Sequence, residues 1–261
     1  MADGSQAQAA FSTRDVPTNM AERLIVALDV PTVDEARKLV RELNGLVSFY
    51  KIGLWLLLAK GTDQLITDLI EMEKDVFLDY KMFDIPETVS EGVKRAADRG
   101  VKFITVHGDD KIMTAAVKAK GVNPNLKIFS ITVLTSLDDG DLEDMGYAVN
   151  VKELIALRVR KSISIGCDGI IASADDEPDQ IRELAGSEGL LIATPGIRMG
   201  KSGKQDHKRH ATPRQAIASG ADYLVVGRPI VSPESGTPLE AARAIVEDMK
   251  RGAADRLRQR S

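Results

Sequence analysis

The stretch "VFLDYKMFDI", residues 76–85, joins an apolar run to a cluster of charged side chains. It predicts a buried strand whose carboxyl end carries Asp79 and Lys81, with Asp84 just beyond. Residues two apart in a strand share a face, so Phe77, Asp79 and Lys81 point the same way. If Phe77 faces the interior of a sheet structure, the two charged side chains lie at the mouth of that interior.

Seven further apolar runs occur along the chain, and helix-like segments separate them. In order, the eight runs are "LIVALD" (24–29), "VSFYK" (47–51), "VFLDYK" (76–81), "KFITVH" (102–107), "KIFSIT" (127–132), "GIIAS" (169–173), "LLIATPG" (190–196) and "YLVVGR" (223–228). Each run is nearly continuous in apolar residues, which is typical of parallel strands buried on both faces. We therefore predict an α/β fold, namely a (β/α)₈ TIM barrel.

Two other α/β architectures fit the sequence less well. A doubly wound open sheet usually carries a GxGxxG phosphate fingerprint, and no such motif follows any of the runs. The segment "PGIRMGKSGK" (195–204) is similar to a Walker A loop, but Pro195 stands where that motif needs glycine. Residues 135–150 interrupt the alternation and predict a loop with a short helix after the fifth strand.

The domain organisation predicted is simple. Residues 1–20 are polar and alanine-rich, without the apolar block of a secretion signal, and we expect them to form a mobile N-terminal arm. No shift in composition follows, so residues 21–261 are predicted to form one barrel domain.

Composition limits the classes of partner. The formal net charge of −4 argues against nucleic acid or an anionic membrane as the main partner. No apolar run approaches the roughly 18 residues of a membrane span. Aromatic residues are only 4% of the chain, so the core is expected to rest on aliphatic side chains. The single cysteine, Cys167, excludes an internal disulfide framework and favours a reducing, cytoplasmic compartment.

Charged residues end the first three predicted strands: Asp29 the first, Lys51 the second, and Asp79 with Lys81 the third. Barrel enzymes place their active sites at the carboxyl ends of the strands. Alone, each residue has an ordinary explanation, because Asp caps turns and Lys lies on solvated rims. Asp84 likewise precedes a helix start, where a carboxylate favours the dipole. The grouping of all five predicts a catalytic site.

These residues also carry a family resemblance. "LDYKMFDIPETV" (78–89) resembles the DxKxxDI signature of the orotidine 5′-monophosphate decarboxylase family. Sugar-phosphate relatives share DxKxxD but typically lack the "DIP" continuation and the "GIR…GRPI" ending. The resemblance extends through "LIVALD" (24–29), "FYKIG" (49–53), "TVLTS" (132–136), "TPGIR" (194–198) and "DYLVVGRPI" (222–230).

The resemblance implies an enzyme that converts orotidine 5′-monophosphate (OMP) to UMP and CO₂ without cofactor or metal. It implies that Lys81 protonates the carbanion left on the pyrimidine ring, within an alternating network of Lys51, Asp79, Lys81 and Asp84. Asp79 would lie beside the substrate carboxylate. The family is usually a homodimer, so Asp84, Ile85 and Thr88 are expected to reach the partner's pocket.

The remaining site residues are also carried over from the resemblance. Asp29 and Lys51 are expected at the ribose hydroxyls, Thr135 at the pyrimidine edge and Pro195 at the base. The phosphate is expected at Gly227 and Arg228, with Gly196 and Arg198 as lesser candidates. His207 stands where the family commonly has glutamine, inside a basic segment (198–210) that is expected to act as a lid.

Two other functions stay open at this point. One is a metal-dependent sugar-phosphate decarboxylase or aldolase on the same barrel. The other is a non-catalytic barrel that binds nucleotides. His107, which ends the fourth predicted strand, is either a support for the charged network or a packed structural histidine.

Overall fold

The computed structural model describes residues 16–173, 178–184, 189–200 and 211–259 of the chain. Its strands are β1 Leu24–Ala27, β2 Phe49–Gly53, β3 Asp75–Met82, β4 Phe103–Val106, β5 Lys127–Ile131, β6 Gly169–Ile171, β7 Leu191–Thr194 and β8 Tyr223–Val226. The helices are a 3₁₀ turn Met20–Arg23, α1 Val33–Glu42, α2 Leu54–Leu57, α3 Thr62–Glu71, α4 Pro86–Asp98, α5 Asp110–Lys120, α6 Asp139–Asp144, α7 Val151–Ile165, α8 Pro178–Leu184, α9 Pro213–Ala218, α10 Arg228–Val231 and α11 Pro238–Gln259.

The eight strands form one closed barrel in sequence order, and every pairing is parallel. β1 pairs with both β2 and β8, which closes the ring. The predicted (β/α)₈ barrel is therefore confirmed. The short helix expected within residues 135–150 is α6.

Local sequence signals explain where several helices begin. The Thr32 side chain accepts a hydrogen bond from the backbone N–H of Glu35 at the start of α1. Thr212 and Gln215 form a reciprocal capping box at the start of α9. Pro86 occupies the first turn of α4, where its missing N–H costs no intrahelical bond. Such caps satisfy backbone donors that the first turn leaves unpaired.

The outer layer of the core, between the strands and the helices, is mostly aliphatic, as expected. The barrel interior differs from that expectation, because five aromatic rings fill its lower part: Phe49, Phe77, Phe103, Phe129 and Tyr223. The rings of Phe103 and Phe129 lie 4.4 Å apart. Gly169 allows this packing, since a Cβ there would lie 2.4 Å from the Phe129 ring.

The amino-terminal end of the barrel carries a buried ion pair. Arg182 Nη2 lies 2.6 Å from Asp222 Oδ2, and both side chains are almost fully buried. Asp222 Oδ2 also accepts the backbone N–H of Ile192, while Arg182 donates to the carbonyl of Leu190. This pair joins α8 to the start of β8, away from the mouth of the barrel.

Residues 1–15 of the predicted arm lie outside the described residues. Val16 is half-buried against the interior cluster of the barrel, and the 3₁₀ turn begins at Met20. In the part of the chain that the structure describes, no helix is long and apolar enough to cross a membrane.

Candidate active site

A cavity of about 550 Å³ opens at the carboxyl ends of the strands. This volume falls within the range usual for small-ligand sites. Ten of the predicted site residues line it: Asp29, Lys51, Asp79, Lys81, Thr135, Pro195, Gly196, Arg198, Gly227 and Arg228. They come from the ends of strands spread around the barrel, so closure of the ring brings them together.

Four alternating charges cross one wall of this cavity, and we call Asp29, Lys51, Asp79 and Lys81 the charged array. Lys51 Nζ lies 3.1 Å from Asp29 Oδ1 and 3.4 Å from Asp79 Oδ2. Lys81 Nζ lies 2.8 Å from Asp79 Oδ1. Asp79 is thus held between two ammonium groups, and each of its oxygens faces one of them.

Burial differs along the charged array. The side chains of Lys51 and Asp79 are 9% and 14% exposed, whereas those of Asp29 and Lys81 are each 38% exposed. The inner pair is therefore shielded from water and the two outer groups remain open to a ligand. The Lys81 side chain therefore has access to the cavity.

The pKa of Asp79 reflects this environment. Burial raises the pKa of its carboxyl, but the neighbouring charges of Lys51 and Lys81 and hydrogen bonds from Lys81 and Thr105 outweigh burial. The net pKa is lowered, so Asp79 is ionised at neutral pH. An ionised Asp79 can accept hydrogen bonds but cannot donate one.

A bulge in β3 sets the position of Lys81. β3 pairs with β4 at Leu78–Ile104 and resumes at Met82–Val106, so its register shifts between these points. Lys81 lies inside the bulge with a φ of 48°, a left-handed conformation that is uncommon for residues other than glycine. The prediction that Asp79 and Lys81 share the mouth is confirmed, although simple strand alternation does not extend to Lys81.

The expected phosphate end of the cavity lies after β7 and β8. Gly227 precedes α10, and Arg228 is the exposed first residue of that helix. Gly196 has a φ of 78°, so the turn after Pro195 favours glycine. Arg198 donates to the carbonyl of Ile197 and is half-buried at the cavity.

Three predicted residues do not line the cavity of their own chain. Asp84 is exposed and accepts a hydrogen bond from the backbone N–H of Ile85. Ile85 is 63% exposed, and Thr88 is exposed on the first turn of α4. None of the three is among the residues that line the cavity. Their assignment to a partner's pocket stays a prediction, and His207 lies outside the described residues.

The cavity also includes residues that the sequence analysis did not select. Trp55 and Leu134 line the rim, and Ser173 lines the cavity at the end of the sixth run. Ser173 could have been found by the rule that polar residues ending barrel strands are site candidates. Trp55 lies on α2, a four-residue helix that no pattern predicted.

His107 lies beside the bulge. Its ring stacks on that of Phe83 at 4.2 Å, and its backbone N–H donates to the carbonyl of Met82. Burial, followed by the nearby Arg158 charge, lowers the pKa of His107. His107 is thus packed against the segment that follows Lys81.

Among the described residues, no group of three or more His, Cys, Asp or Glu side chains is placed to hold a metal ion. Two acidic pairs, Asp109–Asp110 and Asp138–Asp139, lie at helix starts. Asp109 accepts from the backbone at the start of α5, and Asp138 forms a capping box with Asp141.

Comparison with known proteins identifies the family. The model of the "Orotidine 5'-phosphate decarboxylase / HUMPS family" matches residues 22–245. The chain belongs to this family. The resemblance first drawn from "LDYKMFDIPETV" is therefore confirmed, and the family match spans the whole barrel from β1 to β8.

Similar proteins within the orotidine 5′-phosphate decarboxylase / HUMPS family are named as decarboxylases. The Nitrobacter winogradskyi orotidine 5′-phosphate decarboxylase is 46% identical over 237 residues, which cover 91% of this chain and 95% of that protein. The Afipia carboxidovorans enzyme is 49% identical over 233 residues, covering 89% and 97%. The crystal structure of orotidine 5′-phosphate decarboxylase from Lactobacillus acidophilus matches with a TM-score of 0.75 at 30% identity, covering 87% of this chain and 99% of that one.

Proposed function

We propose that this protein decarboxylates OMP to UMP and CO₂, with Lys81 as the proton donor. The observation that carries the proposal is the charged array, in which an accessible Lys81 ammonium is paired at 2.8 Å with a buried Asp79 carboxylate. The names of the relatives favour this substrate over the sugar phosphates that other barrels of the family use.

In the proposed reaction, the bond between C6 of the pyrimidine and the carboxylate carbon breaks, and its electron pair stays on C6. CO₂ leaves, and Lys81 Nζ gives a proton to C6, becoming a neutral amine that solvent later reprotonates. The ammonium stabilises the charge where it develops, which is how preorganised groups accelerate such steps. Asp79 beside the substrate carboxylate adds a repulsion of about 4 kcal/mol at 4 Å and an effective dielectric of 20, which favours loss of CO₂.

The other predicted residues have binding roles in this proposal. Asp29 and Lys51 bind the ribose, Thr135 and Pro195 contact the base, and Arg228 binds the phosphate with Gly227, His207 and Arg198. Residues 21–261 form the catalytic domain and 1–20 an arm. The single buried Cys167 supports a reducing compartment such as the cytoplasm.

The experiment is an absorbance assay of OMP with purified protein in excess EDTA. We expect conversion to UMP that Lys81→Ala reduces by at least ~100-fold, since general acid catalysis commonly supplies that much. Lys102→Ala is the matched control. Lys102 is 34% exposed and pairs with Asp75 at 2.6 Å, but it lies at the opposite end of the barrel.

The outcomes separate the candidate functions. Activity on a sugar phosphate that EDTA abolishes, without turnover of OMP, would favour a metal-dependent sugar-phosphate enzyme and contradict the proposal. UMP binding without turnover would favour a non-catalytic nucleotide-binding barrel. An active Lys81→Ala protein would remove Lys81 from the mechanism.

We also propose that the protein acts as a homodimer in which Asp84, Ile85 and Thr88 enter the partner's cavity. Their exposure and their absence from the lining of their own chain's cavity support this. Mixing the inactive Lys81→Ala and Asp84→Ala proteins under subunit exchange should restore roughly a quarter of wild-type activity, because each mixed two-fold dimer has one intact site. Exchange without recovered activity would disprove the shared site.

A further inference from the structure

Thr105 is a buried hydroxyl in the interior of β4, next to the bulge of β3. Side chains of β4 alternate, with Phe103 in the interior cluster and Ile104 and Val106 in the outer layer. Thr105 therefore points inward, one layer above the Phe103 ring, and it is completely buried. It is absent from the residues that line the cavity, so it does not reach a ligand directly.

The Thr105 hydroxyl connects the two central groups of the charged array. The backbone N–H of Lys81 donates to Thr105 Oγ1 at 2.9 Å, and Thr105 Oγ1 donates to Asp79 Oδ1 at 3.0 Å. The direction of both bonds is fixed, because an amide N–H can only donate and a carboxylate can only accept. The Thr105 hydroxyl thus donates its single proton to the Asp79 carboxylate and accepts the backbone N–H of Lys81.

The bulge creates the need for this connection. Between Leu78 and Met82 the chain leaves the regular β3–β4 ladder, so the Lys81 amide loses the strand partner that alternation would supply. Lys81 also holds a left-handed backbone conformation, which persists in a non-glycine residue only where its surroundings enforce it. The Thr105 side chain provides the acceptor that the ladder no longer offers.

We propose that Thr105 is a positioning residue for the decarboxylation, an inference that rests on the proposed function. It holds the backbone of Lys81 and the carboxylate of Asp79 from a single atom, and so fixes the direction in which the Lys81 ammonium enters the cavity. A small misplacement of a reacting group costs far more in rate than in ligand affinity. Thr105 therefore acts on turnover and not on substrate binding.

The test compares Thr105→Val, which keeps the shape but removes the hydroxyl, with Thr105→Ser, which keeps the hydroxyl. Thr194→Val is the matched control. Thr194 is also a fully buried barrel threonine, but within the described residues its hydroxyl has no hydrogen-bond partner. The measurements are kcat and KM for OMP, the melting temperature, and hydrogen exchange of the Lys81 amide.

For Thr105→Val we expect kcat to fall by ~10- to 100-fold, with KM within about 3-fold of wild type. Thr105→Ser and Thr194→Val should keep kcat within about 3-fold. Wild-type kcat in Thr105→Val would overturn the inference. An equal loss of kcat in Thr105→Ser would also overturn it, because the loss would then not depend on the hydroxyl. If Thr105→Val does not fold, Thr105→Ala, which also removes the hydroxyl, is judged by the same criteria.

Amide exchange separates this inference from the proposed function, because it requires no turnover. If the wild-type protein fails to convert OMP, the proposed function is wrong, and exchange at Lys81 then decides the role of Thr105 alone. Faster exchange at Lys81 in Thr105→Val, at a melting temperature equal to that of Thr194→Val, would support the role. Unchanged exchange would show that Thr105 does not hold the Lys81 backbone.

Discussion

Replacing Lys51 by Met removes one of the two ammonium groups that hold Asp79 while keeping most of the side-chain volume. Lys51 Nζ contacts Asp79 Oδ2 at 3.4 Å and Asp29 Oδ1 at 3.1 Å, and its side chain is only 9% exposed. The substitution leaves Asp79 as a buried carboxylate with Lys81 as its remaining cation. It therefore tests whether the inner pair of the charged array stabilises the fold.

The loss in free energy of unfolding expected for Lys51→Met depends on the burial of the ion pair and not on its distance alone. Removing one partner of a buried ion pair typically costs 3–5 kcal/mol, because the other charge is left uncompensated. Lys81 still lies 2.8 Å from Asp79, so the lower end of that range, about 3 kcal/mol, is expected for Lys51→Met. In a domain of this size such a loss lowers the melting temperature by roughly 6–12 °C.

The cost should also depend on pH. The folded-state pKa of Asp79 is lowered, so its contribution to stability is present above its unfolded pKa and is lost as pH falls through the folded value. The Lys51 charge is a main cause of the lowered pKa of Asp79. In Lys51→Met this pKa is therefore higher, and the stabilising contribution of ionised Asp79 is lost at a higher pH. Protonated Asp79 carries no charge and is not stabilised by a neighbouring cation. At a pH where Asp79 is protonated, the wild type and Lys51→Met should therefore approach the same stability.

Urea unfolding at neutral pH, repeated at acid pH and at one protein concentration, measures both effects. The control is Lys250→Met, because Lys250 pairs with Glu247 at 2.6 Å but its side chain is 54% exposed. That variant should lose less than about 1 kcal/mol despite the shorter contact. If Lys51→Met loses no more than Lys250→Met at neutral pH, the charged array does not stabilise the fold as argued.

Three further predictions concern other parts of the barrel. Burial raises the pKa of Cys167 to about 12, so iodoacetamide at pH 8 should label this thiol only when the protein unfolds. Labelling of the native protein at the rate of a free thiol would contradict this prediction. Asp222→Ala removes the carboxylate that pairs with Arg182 and the acceptor of the Ile192 amide, so among the described residues a buried guanidinium loses its counter-charge, and the change should cost about 3–5 kcal/mol in urea unfolding with kcat at 20 °C unchanged. A loss below about 1 kcal/mol would show that the pair is not needed. Arg228→Lys keeps the charge but removes the planar fork, so KM for OMP should rise about 10-fold with little change in kcat; an unchanged KM would place the phosphate elsewhere.

Much of the fold and of the site could be predicted from the sequence. The apolar runs and the caps of the helices are local patterns, and each depends on residues only a few positions apart. The charged ends of the first three strands follow from the same patterns once the strands are parallel, since the carboxyl ends then meet at one mouth. The signature around Asp79 and Lys81 was sufficient to predict the family.

Other features depend on contacts between distant segments. Closing the ring brings Gly227 next to Asp29, although almost two hundred positions separate these residues in the chain. A Cβ added at Gly227 would lie 3.6 Å from Asp29 Oδ2. The aromatic filling of the barrel was missed because composition gives the number of rings but not where they gather. α2 was missed because four residues are too few to show a helical period.

The sequence by itself determined that eight buried strands would form a barrel with lysines and aspartates at its mouth. Strand periodicity and apolar runs depend only on residues that are close together in the chain. Only the tertiary structure decided how Lys81 is aimed. Regular alternation would place Lys81 on the same face as Phe77 and Asp79, but the bulge in β3 interrupts this alternation. A bulge is defined by the pairing with the neighbouring strand, so the sequence of β3 alone does not show it. Thr105, on that neighbouring strand, supplies the acceptor for the Lys81 amide and a hydrogen bond to Asp79, so the geometry of the charged array depends on a residue 24 positions from Lys81.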